Sequence, residues 1–131
     1  MPFNTKTKAW IEPVRWLLGS AIDNTYKNLT NAAGETFISN PSRLLLLQNM
    51  TDGDIMVSID GGVSMHIPLL KQTASVIDLM ANNPDPAGSN ALPKNLVVSV
   101  TDLSTANVAF NAAGFTDATT GVVFLTSFYG R

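Results

Sequence analysis

Hydrophobic and polar residues alternate along much of this chain with the two-residue period of β-strands. The clearest case is residues 55–67, where two alternating runs flank the turn sequence Asp60-Gly61-Gly62. The apolar positions of one parity are Ile55, Val57 and Ile59 in the first run and Val63, Met65 and Ile67 in the second. Successive side chains of a strand point to opposite faces, so each run has one apolar face. Because an Asp-Gly turn accommodates positive φ, the segment predicts a β-hairpin on a sheet.

Other strands are predicted from apolar runs bounded by turn residues. The run from Leu44 to Leu47 is continuously apolar, which is typical of a central strand buried on both faces. Alternation or β-prone composition indicates further strands at residues 35–38, 75–80, 95–101 and 121–129, whereas residues 14–22 suit a strand or a short helical segment. Seven or eight short strands without long helical periodicity predict an all-β fold, a single-domain antiparallel β-sandwich that can be jelly-roll-like.

The N-terminal residues show no period, and we predict an extended arm at residues 1–13 before a sandwich domain at residues 14–131. Chain termini are often mobile unless they are tied down, so the apolar residues of the arm are candidate contacts with a partner. These candidate interface residues are Phe3, Trp10 and Ile11. The alternative is that Trp10 covers one end of the sandwich. Residues 82–94, rich in Asn, Pro, Gly and Ser, predict a long loop.

The composition excludes several classes of protein. The 131 residues are 45% hydrophobic and only 14% charged, which argues against disorder. So few charges indicate either a surface partly covered by another protein or a surface rich in Ser, Thr and Asn. The net charge of −2, without a dense basic cluster, does not suit nucleic-acid binding.

The same composition bears on disulfide crosslinks and on the cellular compartment of the protein. The chain has no cysteine, which excludes disulfides and thiolate chemistry. No apolar run is long enough for a secretory signal or a membrane span, so we expect a protein made in the cytosol without membrane contact.

Few residues could carry chemistry. His66 is the single histidine, with Ser58, Ser64 and Asp60 nearby in sequence, and we expect it to lie on a surface or interface rather than in a catalytic triad. Asp52, Asp54 and Asp60 form the one acidic cluster, but the pattern fails as a calcium loop because no glutamate closes it. Turn formation explains these aspartates more simply, with Asp52 capping its own turn. We therefore predict no catalytic residue, no cofactor and no metal.

Three segments, in order, resemble a family of small virion structural proteins of tailed bacteriophages, and the resemblance covers most of the chain from about residue 15. The first comprises Arg15-Trp16-Leu17-Leu18-Gly19-Ser20, Ile22 and Thr25-Tyr26. The second comprises Asn40-Pro41-Ser42-Arg43, Leu47-Gln48-Asn49-Met50-Thr51-Asp52-Gly53-Asp54, Val57-Ser58-Ile59-Asp60-Gly61, His66, Ile77-Asp78-Leu79 and Asn82-Asn83. The third comprises Gly121-Val122-Val123-Phe124-Leu125 and Phe128-Tyr129-Gly130.

The resemblance implies a β-sandwich located in the virion, with the major capsid protein or other virion proteins as partners and a homo-oligomeric state. Two roles fit: a capsid decoration (cement) protein that clamps neighbouring shell subunits, and a head–tail adaptor or tail component. A decoration protein that contacts two subunits at once gains from multivalency. The alternative from another class is a carbohydrate-binding module, for which the candidate aromatic residues are Trp16, Tyr26 and Tyr129.

Overall fold

Two antiparallel sheets face each other across one hydrophobic core in the computed structural model, which describes residues 9–79 and 91–130. The strands are β1 (Ala9–Ile11), β2 (Arg15–Leu18), β3 (Lys27–Asn28), β4 (Phe37–Ile38), β5 (Ser42–Thr51), β6 (Ile55–Ser58), β7 (Ile67–Leu69), β8 (Thr73–Asp78), β9 (Leu96–Val97), β10 (Ser99–Asp102) and β11 (Gly121–Gly130). The predicted all-β, sandwich-like single domain is confirmed, but these strands do not confirm the jelly-roll variant.

The first sheet, which we call the long sheet, has the strand order β1-β11-β5-β8, and β2 also pairs with β11. Strands β5 and β11 pair over almost their whole length, from Thr51 opposite Gly121 to Ser42 opposite Tyr129. Strands β1 and β2 occupy successive stretches of the other edge of β11. Of the predicted arm, residues 9–11 are therefore part of this sheet.

The second sheet has the order β3-β10-β6-β7, and β4 pairs with β9 in a separate two-stranded ribbon. The core lies between the two main sheets. Its fully buried members include Leu45, Leu47 and Leu125 of the long sheet and Val57 and Val100 of the second sheet. Each such side chain contributes about 1.5–3 kcal/mol through its removal from water.

The predicted hairpin exists, but its connection differs from the prediction. Strands β6 and β7 pair with Val57 opposite Ile67, so residues 59–66 form a long loop instead of a tight Asp-Gly turn. Val63 is 85% exposed in this loop and does not lie on a strand. The physical reason is Asp60, whose Oδ1 accepts the backbone N–H groups of Val63 and Ser64 and bends the chain before it can pair.

Strand β5 is central in the long sheet, as predicted, but the prediction that both its faces are buried is wrong. Leu45 and Leu47 are fully buried in the core, whereas Leu44 and Leu46 point to the opposite face and are only partly buried. The second sheet covers one side of the long sheet, so the apolar run supplies more hydrophobic surface than this fold encloses.

The segment between β10 and β11 contains two short helices that the sequence pattern did not indicate, α1 (Leu103–Ala106) and α2 (Val108–Ala113). Asn107 caps α2 by accepting the N–H of Ala109, and Gly114 ends it in the left-handed conformation. At this length neither helix generates a detectable period. Further short helical structure is a 3-10 turn at Gly19–Ala21.

Candidate interaction surface on the outer face of the long sheet

One face of the long sheet points away from the core, and the pairing register defines which side chains lie on it. Directly paired residues share a face, and alternate residues of a strand return to it. We call this surface the outer face. Its members are Ile11, Trp16, Leu18, Leu44, Leu46, Gln48, Met50, Ala74, Val76, Asp78, Val122, Phe124, Thr126 and Phe128.

The outer face is arranged in rows that cross the strands. The central row contains Trp16, Phe124, Gln48 and Ala74, and the next row contains Thr126, Leu46 and Val76. The outermost rows contain Leu18, Val122 and Met50 at one end and Ile11, Phe128, Leu44 and Asp78 at the other. Apolar side chains thus run across the whole sheet without interruption by a basic residue.

Several of these apolar side chains are open to solvent. The exposed fractions are 48% for Ile11, 52% for Leu18, 38% for Met50 and 54% for Val76. Asp78, in an end row on β8, is the one charged residue of the outer face. Contiguous apolar patches that lack charge distinguish interaction sites from ordinary protein surface. The arrangement therefore suits contact with another apolar protein surface.

A buried amide fixes the end of β5 beneath this surface. Asn49 is fully buried on the core side, and its Nδ2 lies 3.0 Å from the carbonyl oxygen of Gly53 and 2.9 Å from that of Leu69. Its Oδ1 accepts the N–H of Thr51 at 3.1 Å and the Thr51 hydroxyl at 2.6 Å. These hydrogen bonds tie β5 to the start of β6 and to the end of β7, so the outer face stands on a rigid support.

The acidic residues singled out in the sequence are used to hold backbone. Asp52 does not cap its own turn as predicted; it accepts the N–H groups of Thr119 at 2.7 Å and Thr120 at 2.9 Å. The Thr119 hydroxyl and these N–H groups hold the pKa of Asp52 well below its ordinary value. Asp54 is buried and accepts the N–H groups of Lys71 and Thr116.

The third aspartate of the cluster, Asp60, serves the loop at residues 59–66. The Ser58 hydroxyl donates to it at 2.6 Å, and this bond, together with the Ser64 N–H, lowers the pKa of Asp60 to about 2. In the described ranges, no three His, Asp or Glu side chains gather in a way that could hold a metal ion.

His66 lies in the same loop rather than on the strand where the pattern placed it. Its Nδ1 accepts the N–H of Ile59 at 3.1 Å, and its Nε2 lies 3.9 Å from Oδ2 of Asp60. The Ser58 hydroxyl is hydrogen-bonded to Asp60 and not to the imidazole. A triad requires the base to contact the nucleophile, so this arrangement closes a loop and does not activate a serine.

The three sequence-predicted interface residues have different locations. Phe3 lies outside the described residues. Ile11 is on the outer face beside Phe128. Trp10 pairs with Tyr129, one position along the strand, and so does not lie on the outer face. The apolar positions of β2, β5, β8 and β11 that form the outer face were not singled out from the sequence. The signal that could have revealed them was the continuous run from Leu44 to Leu47, because a strand needs apolar side chains on both faces only if both are covered.

The aromatic residues considered for carbohydrate binding do not share one face. Trp16 is on the outer face, Tyr129 has the parity of Trp10, and Tyr26 packs against Gly62. A separate cleft of about 280 Å³ is lined by Asn24, Ser104, Thr105, Asn107, Val108 and Asn111. No aromatic side chain is among those lining residues, so this cleft lacks the stacking platform that sugar rings prefer.

Comparisons of the chain with protein families, with curated proteins and with solved structures return no match. Of the helices in the described segments, none has the length and apolar composition needed to cross a membrane.

Proposed function

We propose that this protein is a virion structural protein of a tailed bacteriophage, a capsid decoration protein that binds the assembled shell and stabilises it. The observation that carries the proposal is the outer face, a broad apolar sheet surface that the protein's own core does not use. Such a surface is suited to lasting contact within an assembled particle, either between copies of the decoration protein or with a shell subunit. The resemblance of the sequence to small phage virion proteins supplies the setting, with the major capsid protein as the expected partner.

The polar groups of the molecule support a structural role. Asp52, Asp54 and Asp60 hold backbone N–H groups, and Asn49 joins three segments of chain. Groups committed in this way stabilise one rigid conformation, which a protein that reinforces a shell needs. The alternative role in the same particle is that of a head–tail adaptor or tail component.

Co-sedimentation with assembled, undecorated capsids of the same phage tests the proposal. Stoichiometric binding that raises the melting temperature of the shell is the expected result. His66→Ala serves as a control and should bind equally well, because the imidazole only closes a loop. Failure to bind shells, together with ring formation or binding to the portal or tail, would overturn the decoration role in favour of the adaptor.

A further inference from the structure

We propose that a second copy of this chain covers the outer face, packed sheet against sheet about a two-fold axis. This inference rests on the proposed function in assigning the outer face to protein contact, and it goes further by naming the occupant. A dimer formed in this way presents two equivalent sets of remaining surfaces, so it can contact two neighbouring shell subunits at once.

The first reason is the pattern of β5. A continuous apolar run is the composition of a strand enclosed on both faces, and the fold encloses the side of Leu45 and Leu47 alone. On the other side, Leu46 lies between Thr126 and Val76, and Val76 is 54% exposed. A second sheet placed over this surface would complete the burial that the sequence anticipates.

The second reason is charge. The outer face carries no lysine or arginine, and its one carboxylate, Asp78, lies in an end row on the strand β8. A neutral surface cannot form ion pairs with a strongly charged partner, whereas it can pack against the equally neutral surface of a second copy. Consider a two-fold axis that lies between the two sheets, parallel to the strands, above the boundary between β5 and β11. This axis would place β8 of one copy over the β1–β2 edge of the other. The two Asp78 carboxylates are then kept apart.

The third reason is size and shape. The long sheet is four strands wide, because β1 and β2 share one edge of β11, and these four rows of backbone average about eight residues. With strands about 4.8 Å apart and a rise of about 3.4 Å per residue, its outer face covers roughly 500 Å². Two such faces bury roughly 1,000 Å², which reaches the lower limit of area for a specific protein–protein interface. Sheets pack face to face at about −30° through interdigitated side chains, which the rows of the outer face can provide.

The polar residues of the outer face are compatible with this packing. Gln48 and Thr126 make no side-chain hydrogen bond within the described part of the chain, so each has donors and acceptors available for a partner. Gln48 lies in the central row between Phe124 and Ala74. Polar groups in the middle of an apolar interface are tolerated when they bond across it, and they fix the register of the two copies.

Analytical ultracentrifugation over a range of concentrations tests the proposal with the variant Val76→Lys and the matched control Val63→Lys. Val63 is 85% exposed in the loop at residues 59–66 and is not on the outer face, so both changes add the same charge at an exposed valine. We expect a dimer for the wild type and for Val63→Lys. The dissociation constant of the Val76→Lys dimer should be about tenfold higher than that of the wild type, or more, because a lysine there is forced into an apolar contact.

A second pair guards against an effect on folding. Leu18→Lys lies on the outer face at the far edge of the sheet, and Val108→Lys lies on α2 with 86% exposure. Circular dichroism and thermal melting are used to check that each of the four variants is folded before its association is compared. A monomeric wild type, or a dimer equally stable in Val76→Lys and Val63→Lys, would overturn the proposal.

Shell co-sedimentation of the same variants separates this inference from the proposed function. If the wild type is monomeric and Val76→Lys abolishes shell binding, a capsid subunit occupies the outer face; the inference fails and the function stands. If Val76→Lys breaks a dimer but the wild type binds no shells, the inference stands and the decoration role fails.

Discussion

The Asp52 carboxylate accepts the N–H of Thr119 at 2.7 Å and the hydroxyl of the same residue at 2.5 Å, although 67 positions separate them in the chain. This contact joins the turn before β6 to the segment that leads into β11. Gly53 lies so close to the backbone of Ala118 that a Cβ atom would overlap it. The turn and the segment therefore fit together as one clamp at the end of the two longest strands.

Removal of the Asp52 carboxylate should loosen this clamp. We expect Asp52→Ala to lower the melting temperature by several degrees, and Asp52→Asn by less because an amide oxygen can still accept one N–H group. The carboxylate has a pKa below its ordinary value of 3.8, so its contribution is complete above that value and is lost as the pH falls through the folded pKa. The difference in melting temperature between wild type and Asp52→Ala should therefore become smaller towards acid pH. Equal melting temperatures of the two proteins at pH 7 would show that the Asp52 carboxylate does not stabilise this contact.

Asp102 should give stability the opposite dependence on pH. Burial raises its pKa to about 6, and the nearby Asp117 and Asp23 carboxylates add to this, although the N–H of Ala118 opposes it. Because the folded state then binds the proton more tightly than the unfolded chain, stability contributed by Asp102 falls as the pH rises from about 4 to about 6.

The variant Asp102→Asn tests this sign. It removes the titration while keeping an oxygen that can accept the Ala118 N–H, so its stability relative to wild type should rise between pH 4 and pH 7. Urea midpoints measured across this range provide the comparison. A difference between the two proteins that stays constant with pH would contradict the assignment.

Asn49 should be among the most sensitive polar residues of the molecule. Asn49→Ala removes one donor from each of the buried carbonyl groups of Gly53 and Leu69, and it removes the Oδ1 acceptor of the Thr51 N–H and hydroxyl. We expect this change to destabilise the fold by about 3 kcal/mol. Asn24→Ala, at an exposed site, is the control and should change stability by less than about 0.5 kcal/mol. Urea unfolding measures both values, and similar losses for the two variants would show that the Asn49 hydrogen bonds are not what holds these segments together.

Neighbouring leucines of β5 should respond differently, because they point to opposite faces. Leu45→Ala creates a cavity in the core and should cost about 2–5 kcal/mol, whereas Leu46→Ala should cost about 1 kcal/mol or less in the monomer. Denaturation is best measured in a Val76→Lys background, so that association does not contribute. Equal losses would mean that the outer face is as enclosed as the core.

Local patterns in the sequence predicted the sandwich because alternation and turn residues act over a few positions. The strands β5 and β11 were recognisable from Leu44 to Leu47 and from residues 121–129. The pattern failed at residues 59–66, where the side-chain hydrogen bonds of Asp60 outweighed the strand propensity of Val63 and Met65.

The outer face could be predicted only in part. An apolar run indicates that a strand is covered on both sides, but the sequence does not say whether the cover comes from the same chain. The roles of Asp52 and Asn49 were not predictable, since their partners, Thr119 and Leu69, lie far along the chain and are brought together only by the complete fold.

Thiol labelling of Val76→Cys tests most directly whether the outer face is covered by protein. The natural chain has no cysteine, so a maleimide reports on the introduced side chain alone, and Val63→Cys provides the matched exposed site. The account predicts that Val76→Cys is labelled readily in dilute protein and becomes protected as concentration rises, while Val63→Cys reacts at one rate throughout. Equal labelling of the two cysteines at every concentration and on decorated shells would contradict it.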